Sequence, residues 1–202
     1  MKTQRRGTKM SLVVLIGAQA VGKMTVGREL EKRINGKLLF NHQTIDLFVP
    51  FLGYSPETFT LSALIRKELF KAFVAKENKP TETIIFTVLV GFDQIEDIAF
   101  LRSISEIFLQ AEQAVYFVEL VAQLEERLQR NSHEERLKAK PSKRDLSFSK
   151  QDLLSSYENY RLESRENELA ELFPTVNTLK IDNTNLSAAT VAEQIISSFN
   201  LS

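Results

Sequence analysis

The residues from Leu12 to Leu30, LVVLIGAQAVGKMTVGREL, set an unbroken apolar run against two glycines five positions apart, a lysine, and then a helical repeat. An apolar run without alternation reads as a strand covered on both faces. Val26, Leu30 and Ile34 recur at the spacing of one helix face. A strand that must pass into a helix across G-x-x-x-x-G-K leaves few architectures open. Gly17 allows the sharp turn off the strand, and Gly22 lets backbone approach a bound group where a Cβ would intrude. The amides between them, together with the helix N-terminus, form a concavity of partial positive charge with Lys23 beside it. The spacing predicts a polyphosphate cradle made of Gly17, Ala18, Gln19, Ala20, Val21, Gly22, Lys23, Met24 and Thr25. Met24 stands where such loops commonly carry a metal-binding hydroxyl, and Thr25 offers one a residue later.

Beyond this loop, apolar runs of strand length alternate with helical patterns. The runs are SLVVLIG (11–17), KLLF (37–40), TIIFTVLV (83–90), AVYFVEL (114–120) and TVNTLKI (175–181). Helices are expected from Val26 to a stop at Gly36, and over 61–73, 95–109, 122–130, 150–172 and 187–199. In 61–73, Leu61, Leu64, Ile65, Leu69, Ala72 and Phe73 form an apolar stripe, entered through Ser55-Pro56-Glu57. Strict alternation predicts an α/β fold in three layers, α/β/α, around a central five-stranded parallel sheet. The length of 202 residues suits one domain over 1–202. Within it, 1–10 reads as a flexible extension, 42–80 as a small helical region, and the polar, basic 131–149 as a mobile loop.

Composition narrows the partners. Lysine plus arginine equals aspartate plus glutamate, 26 each, so no global field favours nucleic acid or an anionic membrane. The chain has no cysteine, which excludes thiolate chemistry and disulfides and accords with a cytoplasmic setting. No run approaches the ~20 apolar residues of a membrane span. A monomer or a homodimer is expected.

Taken together, the K-x-T spacing and the run AVGKMTVGREL resemble adenylate kinase and its relatives, and most of all a bacterial shikimate-kinase-like branch of the P-loop kinases. The resemblance extends over nearly the whole chain. LEERLQR (124–130) looks like the helix leading into the superfamily's lid, and IDNTNLS (181–187) looks like the segment bordering the adenine. It implies a kinase that uses ATP and Mg²⁺, with 42–80 binding the acceptor and 131–149 serving as a basic lid. Arg127 would pack on the adenine, Arg130 would approach the phosphates, and Asn183, Thr184 and Leu186 would line the base.

From Arg127 to Arg144 the chain carries Arg127, Arg130, Arg136, Lys138, Lys140, Lys143 and Arg144 against two acids, Glu134 and Glu135. Phosphoryl transfer develops charge that such cations can neutralise while a closing lid excludes water. Arg136 and Arg144 compete for the catalytic lid position.

The crevice beyond the strand ends is where a second substrate belongs in such sheets. His42 and Asp46 after the second strand, Arg66 on the following helix and Asp93 after the third strand are the candidate acceptor contacts. Asp93 resembles a carboxylate that holds magnesium through water, which makes Thr25 and Asp93 the candidate metal contacts. A kinase acting on a small hydroxyl or phosphate acceptor is the leading expectation. The alternative is a nucleotide-binding regulator or slow NTPase that needs no acceptor.

Overall fold

The computed structural model describes residues 10–133 and 145–202. Five strands, β1 (Ser11–Ile16), β2 (Gly36–Phe40), β3 (Thr83–Val88), β4 (Ala114–Val121) and β5 (Asn177–Asp182), pair in the order β2-β3-β1-β4-β5. Every pairing is parallel, with Leu15 opposite Thr87 on one side and Val118 on the other. The central position of β1 follows from its sequence. All six of its residues are buried, as only a strand flanked by two others and covered on both faces can be.

Successive side chains of β1 enter opposite cores. Leu12, Val14 and Ile16 meet α3 (Pro56–Ala75) and α4 (Ile95–Leu109), where Phe70 packs edge-on against Phe86 and Phe108. Val13 and Leu15 meet α1 (Lys23–Glu31) and the last helix (Ala188–Phe199). The expected three-layer α/β/α architecture is therefore observed. Among the described residues the remaining helices are α2 (His42–Leu52), α5 (Leu124–Asn131), α6 (Leu146–Asn159) and α7 (Glu168–Leu172), so the helix at Ala188–Phe199 is α8.

Two boundaries and one buried face differ from the periodicity. Helix α1 ends at Glu31, and Gly36 opens β2 instead of closing α1. A Cβ there would crowd the Ile85 and Ile34 side chains, so Gly36 serves a close approach to β3. The expected 150–172 helix is two, because Arg161 turns back to bond Phe92 O and Glu168. The third difference concerns which face of α3 is buried. Thr58, Ser62, Arg66 and Phe70 face inward, whereas Leu64, Ile65 and Leu69 of the expected stripe are 52%, 39% and 45% exposed. Hydrogen bonds set that rotation: Ser62 Oγ donates to Thr44 O and Arg66 Nε to Thr44 Oγ1, at 3.2 and 2.7 Å. Partnered polar groups and one phenylalanine locked in an aromatic cluster outweigh the count of leucines.

Candidate functional site

The strand ends of β1, β3 and β4 deliver their loops to one edge of the sheet, where a cleft of about 910 Å³ opens. Because β1 is central, the loop after it forms the floor. Elements following β2 and β3 build one wall, and elements following β4 and β5 build the other.

The floor is held in an unusual backbone path. Gly17 has φ 147°, and a Cβ there would lie 2.3 Å from Leu120 O, so only glycine lets the loop cross the end of β4. Ala20 and Gly22 follow at φ 61° and 102°. Gly22 caps α1 with no side-chain hydrogen bond among the described residues, as suits a helix N-terminus that faces the cleft. Carbonyls are tied down around it. Arg127 Nε donates to Gln19 O (2.9 Å), while Asn183 Nδ2 and Arg130 Nη1 donate to Val21 O (2.7 and 3.1 Å). In a trans peptide the next N–H points opposite its carbonyl, so these ties turn the amides of Ala20 and Gly22 to the other side. Lys23 Nζ donates to Gly17 O and Ala18 O at 2.5 and 2.8 Å, lying across the loop it serves. Gln19, Ala20, Val21, Gly22, Lys23, Met24 and Thr25 all line the cleft. Met24 is mostly buried and also joins the core under α1, which explains an apolar residue at that position.

The wall beyond β4 and β5 places its two arginines differently. Arg127 is 4% exposed and is not among the cleft-lining residues; its guanidinium bonds the loop and lies 5.8 Å from the Tyr157 ring centroid. Burial lowers its pKa. It therefore braces the loop from beneath instead of offering a face to a base. Arg130 does line the cleft, but its donors are engaged by Glu126 Oε1, Val21 O, Asn183 O and Thr184 O. It ties the loop to the segment after β5. Asn183 and Leu186 line the cleft, whereas Thr184 is turned to Asp182 and Gln123. Arg136 and Arg144 lie outside the described residues.

The wall beyond β2 and β3 is built differently. Arg66 is 6% exposed and reaches the cleft from α3, donating to Thr44 Oγ1 and, at 3.0 Å, to Asn41 O. Among the described residues no carboxylate pairs with it, and burial alone lowers its pKa to about 10. The buried Asn41 Oδ1 has no partner among the described residues. Thr87 receives Asn41 N–H at the end of β3. His42 lines the cleft with Nδ1 3.3 Å from Asp46 Oδ1, and Asp46 itself stands back from the lining.

Asp93 does not reach the cleft. The turn closed by Gln94 N to Gly91 O carries it outward, where its carboxylate accepts from Arg161 N at 3.1 Å. The carboxylates present in the cleft are instead Glu96 and Asp97, in the first turn of α4, and Asp152 on α6. Asp97 Oδ2 accepts from Gly91 N at 2.8 Å, and burial raises the pKa of this carboxyl despite that bond. The sequence signal was present in GFDQIED, but a two-fold choice between the turn aspartate and the helix aspartate depends on where Gly91 bends the chain. Tyr54, Phe59 and Phe100 also line this wall and were not singled out by motif.

For a magnesium ion with a nucleotide, the donor set fits. Mg²⁺ takes most of its ligands from phosphates and water and one or two from protein. Thr25 and Asp97 supply a hydroxyl and a carboxylate within the same cleft.

No protein-family model and no curated protein matches this chain. Solved structures do. Shikimate kinase from Acinetobacter baumannii, in complex with shikimate, aligns with TM-score 0.57 at 17% identity, over 96% of this chain and 94% of that one. APS kinase from Mycobacterium tuberculosis, in complex with AMPPNP and APS, aligns with TM-score 0.57 at 13% identity, over 95% and 98%. The tunicamycin resistance protein of Deinococcus radiodurans aligns with TM-score 0.53 at 18% identity, over 95% and 97%. At these identities the likeness concerns architecture. This chain shares with these solved structures the fold of a five-stranded parallel sheet between helices.

Proposed function

We propose that this protein is an ATP-dependent kinase that transfers the γ-phosphoryl group to a small-molecule acceptor. The observation that carries the reading is the continuity of one cleft from the glycine loop at a helix N-terminus to a buried arginine with no acid partner among the described residues. The first half matches a polyphosphate and the second an anionic acceptor, and a nucleotide-binding switch has no need of the second. The solved kinases of this fold, one with shikimate and one with a nucleotide analogue and APS, support the same division of the cleft.

In this mechanism the amides at Ala20, Gly22 and the start of α1 hold the β-phosphate, and Lys23 leaves its carbonyl partners to follow the γ-phosphoryl group. An acceptor oxygen attacks the γ-phosphorus, the bond to the β-phosphate oxygen breaks, and ADP departs. A hydroxyl acceptor gives its proton to His42 or Asp97, both of which line that wall. Magnesium, when bound, neutralises phosphate charge, with Thr25 and Asp97 as the protein's contribution. Arg136 and Arg144 remain the candidates for closing over the transferred group. The cation-rich 131–149 segment would serve as the lid, and 42–80 as the acceptor-binding region.

The test is ADP release from Mg-ATP by the full chain across a panel of hydroxylated metabolites, nucleosides and nucleotides. Acceptor-dependent release is expected. Arg66→Met should reduce kcat/KM for the acceptor by about 10–100-fold, the worth of a charge-assisted hydrogen bond, while ATP affinity by calorimetry holds. Release that no acceptor alters, with Arg66→Met silent, would instead support a slow NTPase or regulator.

A further inference from the structure

We propose that Arg161 is a positioning residue for phosphoryl transfer. Together with Ser156 in the last turn of α6, it holds Asp97 at a set distance from the glycine loop, so that the two candidate magnesium contacts, Thr25 and Asp97, keep one spacing. This deepens the kinase reading and rests on it. Neither Ser156 nor Arg161 lines the cleft. They act through groups that do: Ser156 on Gln19, and Arg161 on the turn that leads to Asp97.

The turn after β3 decides which aspartate enters the cleft, and Arg161 grips that turn from outside. Phe92 N–H donates to Arg161 O at 2.8 Å, Arg161 Nη2 donates to Phe92 O at 2.9 Å, and Arg161 N–H donates to Asp93 Oδ2 at 3.1 Å. Main chain and side chain of one residue thus hold two successive residues of the turn and keep the Asp93 carboxylate outward. The guanidinium is itself oriented. Its Nη2 also donates to Glu168 Oε1 at 2.7 Å, and the group lies 5.7 Å from the centroid of the Phe92 ring. With Phe92 fixed, Gly91 N–H meets Asp97 Oδ2 at 2.8 Å, and the first turn of α4 presents Asp97 to the cleft. Earlier on the same stretch, Ser156 Oγ accepts from Gln19 Nε2 at 2.7 Å, which joins it to the glycine loop. Arg127, which holds Gln19 O, lies over the neighbouring Tyr157 ring. Helix α6 is seated on α5 by the buried bond from Ser149 Oγ to Asn131 Oδ1. The segment 156–161 therefore ties together two loops that the chain delivers separately, after β1 and after β3. Mg²⁺ demands near-ideal octahedral geometry, and a site built from two loops needs them registered to within about 0.5 Å. Lysine at 161 could not serve, since an ammonium group has no planar fork to reach Phe92 O and Glu168 together.

The experiment measures ATP affinity of the full chain by calorimetry, once with Mg²⁺ and once with EDTA. It compares the parent protein with Arg161→Lys, Ser156→Ala, Asp97→Asn and each of the first two combined with Asp97→Asn. Asp97→Asn is expected to lose most of the affinity gain that Mg²⁺ brings. Arg161→Lys should cut that gain about tenfold, the scale on which outer-shell partners of metal ligands act. Ser156→Ala should cut it by a smaller factor, since Arg127, Arg130 and Asn183 still hold the loop. Affinity in EDTA should stay unchanged in both. Added to Asp97→Asn, neither change should have a further effect, because its route to the metal contact is gone. A purely structural role would lower both affinities and add to the loss from Asp97→Asn. The inference is overturned by that additive result, by an Arg161→Lys protein that keeps the full Mg²⁺ gain, or by a parent protein in which Mg²⁺ brings none. If Arg161→Lys does not fold, the Ser156→Ala cycle decides in the same terms. Absence of ATP uptake both with and without Mg²⁺ would sink the kinase reading itself. ATP uptake with an additive cycle would sink this inference alone.

Discussion

The two walls of the cleft treat their cations in opposite ways. Beyond β4 and β5, Arg127 and Arg130 are bound to loop carbonyls, and Asn183 adds a third tie at Val21 O. Beyond β2 and β3, Arg66 donates to a hydroxyl and one carbonyl and lies over the Phe86 ring with no carboxylate partner among the described residues, and Asn41 Oδ1 has no hydrogen-bond partner among them. The difference teaches how one cleft can serve two ligands. A loop whose amides must point inward needs its carbonyls restrained in advance, since reorganisation at the moment of reaction would cost rate. A wall that recognises an anionic acceptor keeps a buried cation without a carboxylate partner, because that cation becomes valuable only when the matching ligand arrives.

Removing the lysine of the floor between the walls gives the largest expected effect. Lys23→Met should lower kcat by roughly a thousandfold, as loss of a transition-state electrostatic contact does, with a smaller change in ATP affinity. Single-turnover measurement of ADP formation checks it. A change in affinity alone would mean that Lys23 binds the ground state and does not follow the transferred group.

Loosening the tied wall comes next. Arg130→Lys should weaken ATP binding about tenfold and lower the melting temperature by a few degrees. An ammonium group cannot reproduce a guanidinium that reaches Glu126 and three carbonyls at once. Acceptor KM should stay near its original value. If calorimetry finds ATP affinity intact, the distinction between the walls fails.

The smallest effect sharpens the open wall. Burial raises the Asp97 pKa, so its ionised form is disfavoured in the folded state. The neutral acid's advantage is complete below the unfolded value and is lost as pH rises through the folded one. Above the folded value the carboxylate therefore costs stability. Asp97→Asn keeps an acceptor for Gly91 N–H and should raise the melting temperature at pH 7 by roughly 1–4 °C while turnover falls. The gap to the parent protein should close below about pH 4, where both side chains are neutral. A gap that persists there would show that Asp97 is not the source.

Particular residues show why parts of this were legible and others were not. Gly17, Gly22 and Lys23 act through local backbone geometry, so their spacing is readable without a fold. Arg66 could be singled out because it follows the second strand on a helix, but its burial against Thr44 could not. Asp93 and Asp97 differ by four residues, and only the bend at Gly91 decides which enters the cleft. Arg127 and Arg130 carry the same charge pattern whether they brace a loop or meet a nucleotide. The leucine stripe of α3 misled the eye because periodicity counts apolar residues, whereas the buried face was chosen by hydrogen bonds from Ser62 and Arg66.

What the sequence determined by itself is therefore the local chemistry: an apolar central strand, a glycine loop that can present amides, and the alternation that demands a parallel sheet. Tertiary structure alone decided which side chains face one another across the cleft. That choice depends on distances between segments far apart in the chain, on competing hydrogen bonds and on burial, none of which has a period that the sequence can display.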